Sequence, residues 1–236
     1  MKQLLLLATL VAAFPISHAS TCYGTVSNGR LEHGVQMPAR GSNFRAYSAA
    51  GIALGRTWLH ARVRAVVLDA YASLARISPD KVFVYGETGL AAGGRFAPHR
   101  THQSGLSVDF MVPVLDAAGR SVPLPATAFN NFGYAIEFDQ SGRAGELRID
   151  FDAMAEHLHQ LRIAARRYGV GINLLIFDPA LAQKLLRTTK GASLEGVLPL
   201  MKRPPWIRHD EHYHIDFTVP CRPLATGVTE GAAASR

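Results

Sequence analysis

The chain has 236 residues, 48% of them hydrophobic and 18% charged, with a formal net charge of +7. That length buries the core of one sizeable domain or two small ones, and no linker divides it. Its basic residues are scattered rather than clustered and no nucleic-acid motif is present, which argues against a nucleic-acid partner and leaves polyanionic surroundings such as a cell wall or outer envelope.

Lys2, the apolar run Leu4 to Val11 and the small-residue end Ser17-His18-Ala19 read as a secretory signal peptide over residues 1–19, cleaved before Ser20. The run is too short to cross a membrane, which takes about 20 apolar residues, and no later stretch reaches that length. Without Lys2 the chain keeps 24 basic and 18 acidic residues, a formal +6. Cys22 and Cys221 are the two cysteines, and in an exported chain they are expected to form a disulfide joining the two ends.

Ser27 to Ser48, rich in Gly, Ser, Asn, Pro and Arg, reads as irregular. Thr57 to Ala75 has a one-sided helical spacing at Val63, Val66, Val67, Ala70, Tyr71 and Leu74, ended by Ser78-Pro79-Asp80. Val82 to Tyr85 is a short strand, and Gly86 to Gly94 a glycine-rich loop that either lines a cleft or makes ordinary turns. Leu106 to Val114 predicts a strand with Val108, Phe110 and Val112 on one face and Asp109 on the other. The stretch around Asn130-Asn131-Phe132-Gly133-Tyr134 is expected as a surface excursion near the mouth of a site. Asp150 or Asp152 caps a helix bearing Met154, Leu158, Leu161 and Ala165 that stops at Tyr168-Gly169. His157 and His159 are two apart on it and read as solvent-exposed. Ile172 to Phe177 is a strand, Asp178-Pro179 opens a helix, Pro204-Pro205-Trp206 breaks the chain, and His212 to Val219 is the last strand. The tail from Leu224 to Arg236 has no apolar period and is expected to be disordered. These elements predict an α+β fold: a single domain over residues 20–223 with a small, mostly antiparallel central sheet flanked by helices and long loops.

Five of the ten histidines fall in two short stretches, Pro-His99-Arg-Thr-His102-Gln-Ser-Gly-Leu-Ser-Val-Asp109 and His209-Asp-Glu211-His212-Tyr-His214. Side chains alternate along a strand, so His212 and His214 project to one side. If the last strand lies beside Leu106 to Val114, Asp109 meets them there and His102 curls over from the entering loop, with Gly105 easing the turn. A His, Asp, His set suits zinc at about 2.0–2.2 Å and leaves a position for a reactive water. The surplus histidines are candidates for base and oxyanion roles. Arg95 and Arg208 flank the two stretches and are candidate carboxylate binders, with plain surface charge the equal alternative. His33 and His60 are isolated and carry no assignment.

Residues from about Ser27 to Cys221 resemble the penicillin-insensitive murein endopeptidase family, zinc peptidases whose core fold is shared with D-Ala-D-Ala metallopeptidases, lysostaphin-type enzymes and hedgehog domains. The matching words are Ser27-Asn28-Gly29, Ala92-Gly93-Gly94-Arg95-Phe96, His102 to Asp109, Arg203-Pro204-Pro205-Trp206 and His209 to His214. The resemblance implies one zinc per chain, bound by His102, Asp109 and His214, with His99 a further ligand or close neighbour. It implies His212 as base toward the metal-bound water and His209 as a stabiliser of the tetrahedral oxyanion. Glu211 competes for the base role through its spacing to His214; strand alternation turns it away if the strand has already begun, which favours His212. The implied location is the periplasm. The implied substrates are peptidoglycan cross-links, D-Ala to meso-diaminopimelate and also diaminopimelate to diaminopimelate. The alternatives are a D,D- or L,D-carboxypeptidase trimming stem peptides, which shares the metal set, and a non-catalytic wall-binding module.

Overall fold

A computed structural model describes residues 19–205 and 207–224. Apart from Ala19 and Leu224, the expected signal peptide and the expected disordered tail lie outside the described residues, as does Trp206. In chain order the elements are β1 (Thr21–Gly24), β2 (Gly29–Glu32), β3 (Val35–Gln36), β4 (Phe44–Ala46), α1 (Ala49–Ala53), β5 (Trp58–Leu59), α2 (Ala61–Ile77), β6 (Phe83–Tyr85) and β7 (Ser107–Met111). Then come β8 (Val114–Leu115), β9 (Ser121–Val122), a 3-10 turn (Ala128–Gly133), β10 (Arg143–Ala144), β11 (Leu147–Ile149), α3 (Phe151–Arg167), β12 (Gly171–Ile176), α4 (Pro179–Leu186), α5 (Thr189–Ala192) and β13 (His212–Thr218).

The central sheet runs β12-β13-β7-β6-β4, antiparallel throughout except for the β4–β6 pair. A smaller antiparallel sheet, β10-β11-β8-β9, stands beside it. This is the α+β arrangement expected. Helices α2 and α3 bring their apolar sides together, and Tyr71 of α2 and His157 of α3 meet Phe83, Phe110 and Tyr213 of the sheet. The helix starts follow ordinary capping: Asp150 accepts a hydrogen bond from the Ala153 amide, and Asp178 accepts from those of Ala180 and Leu181 ahead of a helix that begins with Pro179.

Two expectations are corrected. Residues 27–48 are not irregular throughout, because β2, β3 and β4 lie there; at two to four residues each they are too short to show an apolar period. His157 is not solvent-exposed. It is fully buried, with its ring stacked 5.0 Å from Tyr71 and its Nδ1 bonded to the Tyr213 hydroxyl. It falls three residues after Met154 and four before Leu161, so it belongs to the apolar stripe that faces the sheet. His159, on the adjoining arc, is half-buried.

Candidate metal centre and active site

The antiparallel register of β7 and β13 sets His214 opposite Asp109 and Asp216 opposite Ser107. Directly opposed residues share a face. His212, His214, Asp216, Ser107 and Asp109 therefore occupy one side of the sheet, while Tyr213, Phe217, Val108 and Phe110 pack into the core on the other. Sequence alternation anticipates this split, and the pairing of the two strands completes it.

His102 arrives from the loop before β7 with φ of 66°, in the left-handed region. That conformation costs a non-glycine residue on the order of 1–3 kcal/mol and persists only where the surroundings enforce it. Here the His102 backbone amide donates to Ser107 Oγ at 3.2 Å, and its ring Nδ1 lies 3.2 Å from the Thr88 carbonyl. The carbonyl can only accept, so Nδ1 carries the proton. Nε2 is then a bare acceptor, buried, with no hydrogen-bond partner among the described residues and 3.3 Å from Asp109 Oδ1.

His214 and His99 are held in the same manner. His214 Nε2 lies 2.8 Å from Asp216 Oδ1, a carboxylate that also accepts from the Ser107 hydroxyl at 2.6 Å, and its Nδ1 lies 2.8 Å from Asp109 Oδ1. His99 Nε2 lies 2.5 Å from Glu87 Oε2 and its Nδ1 is 3.9 Å from Asp109 Oδ2. Three imidazoles are thus each pinned at one nitrogen and aimed with the other at a single carboxylate, the outer-shell pattern that orients metal-ligating histidines. Donor atoms of His99, His102 and Asp109 lie within 4.8 Å of one another, a group able to hold a metal ion.

Charge follows the same geometry. Burial alone would raise the Asp109 carboxyl, but the imidazoles of His102, His212 and His214 around it hold it well below the usual carboxylate range. Burial opposes charge on His214, yet the carboxylates of Asp109 and Asp216 push it up to about 10. The centre therefore demands a positive charge beside Asp109, which a proton or a cation can supply. Burial pushes His212 and His209 down to about 4 and raises Glu211 to about 7.

A cleft of about 540 Å³ opens over this centre. His99, His209, Glu211, His212 and His214 line it, while His102 and Asp109 are fully buried beneath. Glu211 precedes the first residue of β13, so strand alternation does not turn it away; its Oε1 lies 2.8 Å from His212 Nδ1. The His209 ring stands 4.5 Å from that of His212, and its Nδ1 donates to the Ile207 carbonyl at 2.8 Å.

Arg208 also lines the cleft, where it donates to the Tyr134 carbonyl at 3.3 Å and pairs with Asp210 at 3.1 Å and Glu137 at 3.2 Å. Arg95 is exposed and is not among the residues lining the cleft.

Three further residues reach the site, none of which carried an individual assignment from the sequence. Asp216 follows His214 by two and carried a readable signal, since the same alternation puts both on one face. Glu87 lies in the glycine-rich loop expected to line a cleft. Burial would raise its carboxyl, but His99, Arg56 and Tyr47 pull it down to about 2. Tyr134 lies in the stretch expected near the mouth of a site and does line the cleft, but nothing in its local sequence marks its role; its hydroxyl reaches Asp109 Oδ2 at 3.1 Å.

No curated protein matches the chain. The family model for penicillin-insensitive murein endopeptidases matches residues 22–225, a span that holds both histidine stretches and the sheet that unites them. The chain belongs to the penicillin-insensitive murein endopeptidase family.

Proposed function

We propose that this peptidase is a zinc-dependent enzyme of the periplasm that hydrolyses D-Ala–meso-diaminopimelate cross-links of peptidoglycan, and diaminopimelate–diaminopimelate cross-links as well. The observation that carries the zinc reading is the set of imidazoles pinned at one nitrogen around a buried carboxylate, with the His102 Nε2 left as an unpartnered acceptor. Neutral imidazole and carboxylate are the donors that zinc prefers. We assign His102 Nε2, Asp109 and His214 Nδ1 as ligands and place His99 against them. When bound, zinc polarises the scissile carbonyl and makes a water acidic enough to attack at neutral pH.

The surrounding side chains supply the proton traffic. Burial keeps His212 neutral, so it can accept a proton, and Glu211 at its Nδ1 fixes the ring so that Nε2 is the accepting atom. Glu211 and His212 thus act as a pair rather than as rivals for the base role. His209 donates from Nδ1 to Ile207, so it stabilises an oxyanion only when Nε2 is also protonated, a state that negative charge developing in the cleft favours. Arg208 sits on the cleft wall as a carboxylate binder, and Arg95 would meet the substrate only beyond the cleft. A water-based attack forms no acyl-serine, which accounts for indifference to β-lactams.

The Cys22–Cys221 disulfide supports an oxidising compartment. No helix among the described residues is long and apolar enough to cross a membrane. Mass spectrometry of muropeptides after digestion tests the reading. Cross-linked dimers should fall to monomers, and a chelator, His102→Ala or His214→Ala should abolish this. Free D-Ala released from uncross-linked pentapeptides, with dimers left intact, would overturn it in favour of a carboxypeptidase.

A further inference from the structure

The two oxygens of Asp109 are divided between different neighbours. Oδ1 lies 2.8 Å from His214 Nδ1 and 3.3 Å from His102 Nε2. Oδ2 lies 3.1 Å from the Tyr134 hydroxyl and 3.9 Å from His99 Nδ1. The Tyr134 oxygen accepts a hydrogen bond from the Glu87 amide at 3.0 Å, so its single proton is committed to Asp109 Oδ2.

This contact is built rather than incidental. A Cβ at Gly86 would stand 2.6 Å from the Tyr134 oxygen and 2.9 Å from Asp109 Cβ, so a bare backbone at position 86 is what admits the hydroxyl. The segment that delivers Tyr134 bends sharply, with Asn131 and Phe132 at φ of 50° and 55°. Asn130 Oδ1 holds that bend by accepting from the Thr127 and Gly133 amides, and Arg208 ties the Tyr134 carbonyl to the strand that follows. The Tyr134 ring sits edge-on to His212 at 5.0 Å and to Tyr47 at 5.9 Å.

We propose that Tyr134 is a positioning residue of the metal centre: it holds Asp109 Oδ2 so that Oδ1 alone, with His102 Nε2 and His214 Nδ1, faces the ion. A carboxylate restrained to one oxygen keeps coordination positions free for water and substrate carbonyl, which a hydrolytic site needs and a closed structural site does not. His99 Nδ1 stands on the Oδ2 side of the carboxylate, 3.9 Å away. The inference rests on the metal-site reading given above, and its test separates the two.

Zinc affinity is measured on chelator-stripped wild-type protein and on Tyr134→Phe by competition with a chelating indicator, and the visible spectra of the two cobalt-loaded forms are compared. Tyr134→Phe keeps its ring contacts, so far-UV circular dichroism should match the wild type. Its zinc affinity should fall about 10–100-fold, and its cobalt spectrum should shift as Asp109 turns its second oxygen to the ion. Affinity within about twofold of wild type, with an unchanged cobalt spectrum, overturns the proposal. Failure of the wild type to bind zinc defeats the metal reading instead. If Tyr134→Phe does not fold, a crystal structure of the zinc-loaded wild type decides: Oδ1 alone on the ion, with Tyr134 bonded to Oδ2, supports the role, and Oδ2 on the ion overturns it.

Discussion

Two buried histidines on opposite faces of one sheet meet opposite fates because their partners differ. His214 is flanked by two carboxylates, which push it up to about 10 against the effect of burial. Among the described residues His157 meets the Tyr213 hydroxyl and aromatic rings, with no carboxylate bonded to it, and burial pushes it down to about 3 from an ordinary 6.5. A group whose folded pKa lies below its unfolded one contributes stability above the unfolded value, and that stability is lost as pH falls toward the folded one. Between pH 7 and pH 5 the His157 contribution should shrink by about 2 kcal/mol. Urea unfolding of wild type and His157→Phe at both pH values measures it: the wild type should lose that much more than the variant. Equal losses would mean that His157 is charged, or exposed, in the folded protein. The two-residue spacing of His157 and His159 says only that they do not face each other, and it carries no information on burial. The spacing that mattered was to Met154 and Leu161, which puts the ring on the buried stripe.

Among the elements, the long helices and the strands that carry the site are legible in the sequence, while the short strands β2, β3 and β4 and the turns are not. Alternation in His212-Tyr213-His214-Ile215-Asp216 separates donors from core residues before any pairing is known, and the β7–β13 register then sets His214 against Asp109. The loop carrying Tyr134 has no such period, and its role comes only from the tertiary contact with Gly86 and Asp109. Turns do have their own physics where glycine is obligatory. Gly105 joins His102 to β7 with φ of 72°, its carbonyl accepts from the His60 amide, and a Cβ there would stand 2.6 Å from Leu31 Cδ2 and 2.9 Å from the His60 nitrogen. Gly145 has a similar φ of 56° but nothing within 4 Å of such a Cβ. Gly145→Ala should therefore cost only the left-handed penalty of about 1–2 kcal/mol. Gly105→Ala should cost a further 1–3 kcal/mol, roughly, for the forced shift of packed atoms, and, on the proposed zinc reading, metal affinity should drop in that variant alone. Equal thermal shifts in the two proteins would show that the turn before β7 has slack the distances deny.

At the scale of the whole molecule, the chain ends serve the site. Cys22 and Cys221 form a disulfide across a separation of 199 residues, as the cysteine count in an exported chain predicts. What the count could not reveal is what the link braces. Cys22 lies in β1, whose partner β2 reaches the loop bearing His102: the Leu31 amide donates to the Ala92 carbonyl, and the Gln103 amide to that of Val26. Cys221 follows the strand that carries His214, and the chain beyond it pairs back through the Gly24 amide to the Arg222 carbonyl and the Arg222 amide to that of Cys22. The link thus couples the supports of two candidate donors, His102 and His214, that lie far apart in the sequence. Closing so long a loop removes unfolded-state entropy, a contribution of about 2–5 kcal/mol. The double variant Cys22→Ser, Cys221→Ser should melt on the order of 10 °C lower. Its exchange pattern carries the sharper test, because the hairpin loses its tether while β7 and β13 keep their ladder. In the folded variant, the Leu31 and Gln103 amides should exchange faster than in wild type by a larger factor than those of β7. A uniform acceleration across both regions would mean that the disulfide stabilises the domain as a whole and holds no particular grip on the His102 loop.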